Sequence, residues 1–120
     1  MNREEFIEKY HEFAGHALAL AEKARKEGLL SLEDDFDPEK IRTRDIFEYG
    51  LRFTVDGTDS DIVNKILSNI IEQDKDEYSH RFKTIQKEAV LMIQSGINPQ
   101  LLCAILNSFT DLPLTEDEIG

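Results

Sequence analysis

Tryptophan is absent from this 120-residue chain, and it carries a single cysteine and only three prolines. One cysteine excludes an internal disulfide and any zinc site built from several thiolates. Cys103 lies among Leu101, Leu102, Ile105 and Leu106, the setting of a small buried hydrophobe rather than a reactive thiol. Long apolar runs are missing as well, since none approaches the ~20 residues a membrane span needs. The opening Met1-Asn2-Arg3-Glu4-Glu5 lacks the basic start and apolar stretch of a signal peptide. These absences predict a cytoplasmic protein without membrane insertion. Basic residues are scarce too: 14 Lys and Arg stand against 25 Asp and Glu, a net charge of −11. That balance repels phosphates, so it argues against nucleic acid and anionic lipid and favours a basic patch on another protein. With 40% hydrophobic residues, a chain this short builds one small core and one domain, spanning 1–120.

What is present is helical periodicity. Phe6, Tyr10, Phe13, Ala17, Leu20 and Ala24 alternate spacings of four and three, the seam of an amphipathic helix. The pattern stops at Gly28, which can take the left-handed conformation that closes a helix. Helix one is therefore expected over about Arg3 to Glu27, with Lys23, Arg25 and Lys26 complementing the dipole of its last turn. Leu29, Leu30 and Leu32 form a short apolar patch. A second helix is expected to begin between Pro38 and Arg44 and to cover Asp45 to Phe53, ending at Asp56-Gly57. Thr58 is the expected N-cap of a third. From Asp59 no breaker intervenes before Gly96, so residues 59–95 read as one helix of about 55 Å. Its stripe is interrupted by the polar waist Glu72-Gln73-Asp74-Lys75-Asp76-Glu77, which suggests an exposed middle or a kink. Asn98-Pro99 opens a last short helix, and the acidic tail 110–120 is expected to be loose. The predicted fold class is all-α, a compact domain of about four helices.

Groups for catalysis or metal binding do not converge in the sequence. His11 and His16 are five apart on one helix, which turns them about 140° from each other. His80 stands among charged residues. The acidic run from Glu33 to Asp37 lacks the alternating ligands, central glycine and distal glutamate of a calcium loop. No His-Glu-x-x-His, phosphate-binding glycine loop or nucleophile elbow is present. The reading is a non-enzymatic chain with no cofactor and no metal.

Two segments carry more information. ARKEGLLSLE, Ala24 to Glu33, places Arg25 and Glu33 on either side of a helix-ending glycine, and VDGTDSDIV follows at Val55 to Val63. On spacing alone, Arg25 complements a helix dipole and Glu33 is a solvated charge. A third segment, IQSGINPQLL from Ile93 to Leu102, precedes Leu106-Asn107-Ser108-Phe109. Together they resemble the cytoplasmic regions of the MotA-type flagellar motor stator subunit. Block one, about 6–71, is similar to the loop after that family's second transmembrane helix. Block two, about 83–109, is similar to its C-terminal tail. The two transmembrane helices that separate those blocks in the family are missing here, and the blocks meet at the polar waist.

The resemblance implies a protein partner, either the rotor switch protein or a stator subunit, contacted electrostatically through Arg25 and Glu33. A helical adaptor or oligomerisation module with no motility role is the alternative. The resemblance also marks a departure. Cys103 and Ile105 stand where the family usually has charged residues, and with Leu101 and Leu102 they make the last helix apolar on more than one side. Leu102, Cys103, Ile105 and Phe109 are therefore expected either in the core or in a homodimer contact.

Overall fold

The computed structural model describes residues 1–111; the expected loose tail, 110–120, lies almost wholly outside the described residues. All regular structure among them is helical: α1 (Arg3–Glu27), a 3-10 segment (Leu29–Asp35), α2 (Pro38–Arg42), α3 (Ile46–Val55), α4 (Ser60–Glu72), α5 (Glu77–Gln94) and α6 (Pro99–Asn107). The all-α class stands, and the expectation of about four helices gives way to seven. The radius of gyration is 13.5 Å, close to the value of about 13 Å expected of a compact domain of this size.

Helix α1 follows its periodicity closely. The Asn2 side chain accepts from the Glu5 amide at 2.8 Å, and Phe6, Tyr10, Phe13, Ala14, Ala17, Leu20 and Ala21 are buried along one face. Gly28 ends the helix at φ +89°, ψ 162°. This is not the left-handed helical region but the extended mirror region that only glycine occupies readily. It throws the chain into the 3-10 segment, which folds back along α1 and buries Leu32 completely.

The expected second helix is two. Asp37 caps α2 through the Glu39 amide at 3.0 Å. The helix is closed by Arg44 at φ +59°, with the Asp45 amide donating back to the Lys40 carbonyl at 2.9 Å. Asp45 then caps α3 by accepting from the Glu48 amide at 3.1 Å. Glycine is absent from this corner, so no breaker in the sequence announces it. The third cap also moves by one residue. Asp59, not Thr58, holds the N-cap position of α4, and the Thr58 carbonyl instead accepts from Gln94 Nε2 at 2.8 Å.

The largest correction concerns residues 59–95. The chain stops being helical after Glu72 and restarts at Glu77, so the single long helix is an antiparallel hairpin of α4 and α5. Thr58 meets Gln94 at its open end, and Ser68 Oγ accepts from Lys87 Nζ at 3.2 Å midway. Side chains make the reversal without glycine. The Asp74 carboxylate accepts from the Asp76 amide at 3.0 Å, from Lys83 Nζ at 2.8 Å and from the Ser79 hydroxyl. The Asp76 carboxylate caps α5 through the Ser79 amide at 2.8 Å. The fold favours the hairpin because one straight helix would leave Val63, Leu67 and Ile71 exposed, whereas here they are buried with Ile85, Ala89, Val90 and Ile93. Helix α3 packs closely against this pair: a Cβ at Gly50 would come within 2.8 Å of Leu67 and 2.9 Å of Val90. Among the described residues, no helix is long and apolar enough to cross a membrane.

Candidate partner-binding surface

The corner between α1 and the 3-10 segment carries Arg25 and Glu33, and its stiffness comes from neither. Lys23, on the inner side of the corner, donates to Asp35 Oδ2 at 2.9 Å and lies 4.0 Å from Asp34. The bond to Asp35 holds the ammonium group above its ordinary pKa, helped by the neighbouring acids Asp34 and Glu27. Ser31 adds a hydroxyl bond to the Gly28 carbonyl at 2.7 Å, and buried Leu32 pins the segment to the core.

Arg25 projects from this corner, exposed and without an ion pair among the described residues. Its neighbour Lys26 is paired along the helix with Glu22 at 2.9 Å. Glu33 is also exposed, and its nearest cation is Arg52 of α3 at 4.0 Å. Arg52 is held more closely by Asp56, at 3.3 Å. Both sequence-identified charges thus stand on one solvent-facing corner, and Glu33 is loosely bridged to a third residue that the sequence reading missed. Arg52 carried no signal, because its place beside Glu33 depends on how α3 packs against the 3-10 segment.

Beside Glu33 lies an open groove of about 480 Å³ lined by Glu33, Phe36, Pro38, Ile41, Arg42 and Arg52. Leu30, 69% exposed, extends the apolar surface of the same 3-10 segment. Arginines at the rim of an apolar floor are the residue types enriched where proteins meet. The separations are those of surface pairs, worth little to stability and easily exchanged for a partner's charges.

The four α6 residues divide. Leu102 and Cys103 are buried, at 0% and 5% exposure, while Ile105 and Phe109 are half-buried. Phe109 packs against the core. Leu101 is the residue that α6 leaves outside, at 61% exposure. The helix is tied to α1 by the buried Tyr10, whose hydroxyl donates to Asn107 Oδ1 at 2.6 Å; burial pushes this phenol above its ordinary pKa. Among the described residues, no three His, Cys, Asp or Glu side chains come together as a metal site.

Fold and surface together define a helical domain with no described membrane span, whose most distinctive surface is a stapled, charge-bearing corner rather than an enclosed reactive centre. Over most of its length the chain is similar to motility protein A. It is 41% identical to that protein of Borreliella burgdorferi over 80 residues, 64% of this chain and 30% of the relative. It is 36% identical to that of Treponema phagedenis over 90 residues, 72% of this chain and 32% of the relative. Identity to that of Treponema pallidum is 36% over 76 residues, covering 61% and 27%. The chain thus spans about a third or less of the curated relatives it matches. No protein-family model matches it, and no solved structure does. The similarity to motility protein A thus runs over stretches of 76 to 90 residues.

Proposed function

We propose that this chain is a cytoplasmic, non-enzymatic motility protein that uses the corner at Arg25 and Glu33 to dock on a component of the flagellar motor. The partner in this reading is the rotor switch protein or the cytoplasmic part of a stator subunit. The observation that carries it is the division of labour at the corner. Lys23 and Asp35 hold the reversal, so Arg25 is left free to meet a carboxylate on another protein. Glu33 sits at the limit of an ion pair with Arg52 and can exchange that partner for an incoming cation. Exposed charges of this kind set encounter rate and register more than they add affinity. That suits a contact made and broken repeatedly. The similarity to motility protein A supplies the setting. Because the described residues hold no membrane span, the domain in this reading modulates a motor by occupying the surface that a stator would use.

Binding of the purified chain to purified rotor switch protein and to a stator cytoplasmic domain tests this. Wild type is expected to bind one of them, with affinity falling as salt rises. Arg25→Glu and Glu33→Lys are each expected to weaken binding by about tenfold. Full binding by both variants would remove these residues from the contact. Failure of wild type to bind either partner would overturn the motor reading and leave the helical adaptor in its place.

A further inference from the structure

A second concave surface lies away from the corner, where α1, the α2–α3 turn and α5 meet. The cleft measures about 390 Å³ and is lined by Lys9, Glu12, Phe13, His16, Lys40, Asp45, Phe82 and Gln86. Its floor is aromatic: Phe13 meets Phe82 edge to face at 5.7 Å and Phe47 at 4.8 Å. Gln86 stands out in it. The residue is 7% exposed, yet its amide makes no hydrogen bond to any described residue. The buried side-chain atom left unpaired among the described residues is Gln94 Oε1; the Gln86 amide opens on the cleft instead, where water or a ligand can complete it.

The charges of the rim are equally unusual. In a chain with nearly two acids for every base, Lys9 and Lys40 approach one cleft from different helices, and neither forms an ion pair among the described residues. The rim acids Glu12 and Asp45 match the two ammonium groups in number, Asp45 also capping α3, and Lys40 further acts on the buried Glu48 of α3. His16, edge-on to Phe47 at 5.7 Å, is held below its ordinary pKa by desolvation and by Lys40, against the opposing pull of Asp35 and Asp45. Helix α5 brings no ionisable group to the cleft, only Phe82 and Gln86. An aromatic floor, an amide open to the cleft and two lysines outside any ion pair among the described residues, in a cavity of this size, match the few convergent polar groups of a small-molecule site.

We propose that this cleft binds a small ligand made of a flat ring and an anionic group, either an aromatic carboxylate or a nucleoside monophosphate. The ring lies over Phe13 and Phe82, the anion sits between Lys9 and Lys40, and Gln86 bonds a polar atom of the ring. The site is independent of the motor contact, since it shares no residue with the corner at Arg25 and Glu33.

The test is NMR on the intact protein, following the Gln86 side-chain amide and the His16 ring. Indole-3-acetate and adenosine monophosphate are the probes, and inorganic phosphate and adenosine are the controls. One of the two ring anions is expected to shift both signals saturably and to raise the His16 pKa, because a bound anion favours the imidazolium. Which one does so identifies the source of the anion. Each control should bind at least about tenfold more weakly than that probe. Gln86→Leu and the exposed double variant Lys9→Ala/Lys40→Ala should each weaken binding by about tenfold with unchanged circular dichroism. The double variant keeps the test valid if Gln86→Leu fails to fold. Absence of shifts with both ring anions at about 5 mM, or shifts undiminished in the variants, would overturn the proposal. Equal binding by inorganic phosphate would overturn it as well, reducing the cleft to a bare anion site.

Discussion

Two reversals of the chain are built by different means, one at Gly28 and one at residues 73–76. At the first, a glycine at φ +89° takes a conformation closed to other residues, and Lys23 staples the returning segment to α1. At the second there is no glycine. Asp74 gathers an amide, a hydroxyl and an ammonium group onto one carboxylate, and Asp76 opens the next helix. The first turn depends on a backbone conformation that glycine supplies, with Lys23 and Leu32 holding the segment that follows. The second is specified by side chains and holds only while α4 and α5 have a shared core to cover.

The two mechanisms predict different responses to substitution, and the backbone turn should be the more costly to break. A Cβ on Gly28 meets no atom within 4 Å, so Gly28→Ala costs backbone strain alone. Forcing alanine into that region should remove about 1–3 kcal/mol of stability. Urea unfolding should show that loss unchanged between pH 7 and pH 3, because no ionisable group is involved. A neutral or stabilising Gly28→Ala would mean that the reversal is set by Leu32 and Lys23 instead.

Asp74→Asn should cost somewhat less at neutral pH, about 1 kcal/mol for weakened charge-assisted bonds at a site 14% exposed. Its distinguishing mark is pH dependence. Hydrogen bonds from Lys83, Ser79 and the Asp76 amide hold the Asp74 carboxyl far below the ordinary aspartate value of 3.8. A depressed folded-state pKa contributes stability that is complete above 3.8 and fades as pH falls through the folded value. The gap between wild type and Asp74→Asn should therefore be full at pH 7 and narrow progressively below about pH 4. A gap constant down to pH 2 would show that the carboxylate's charge plays no part in the turn.

The same contrast explains what could be read in advance. Helix α1 was legible to the residue because its apolar seam and terminal glycine are local signals. Asn98-Pro99 announced α6 in the same way, and the Asn98 side chain does cap it, at 2.7 Å from the Gln100 amide. The breaks at 43–45 and 73–76 were illegible. They rely on aspartates that bond back to the backbone, on a left-handed Arg44 and on burial that becomes available only after folding. The surface followed suit. Arg25 and Glu33 were visible through their motif, whereas Arg52 and Gln86 became notable only when α3 and α5 brought them beside residues distant in sequence. The polar waist did carry a warning, since a run of charges fits a turn better than the middle of a helix.

The smallest expected effect separates fastening from display at the corner itself. Lys23→Ala removes the staple and should lower Tm by a few degrees at most, an exposed pair being screened by solvent. Arg25→Ala, which loses no ion pair within the described chain, should leave Tm unchanged. The pH dependence runs opposite to that of Asp74. The raised folded pKa of Lys23 means that its contribution is complete below 10.5 and is lost as pH rises through the folded value. Partner binding should rank the two variants in reverse, with Arg25→Ala weakening it and Lys23→Ala sparing most of it. If Lys23→Ala instead abolished binding while Arg25→Ala did not, the staple would be the contact. The corner would then be recognised by its shape and not by the charges it presents.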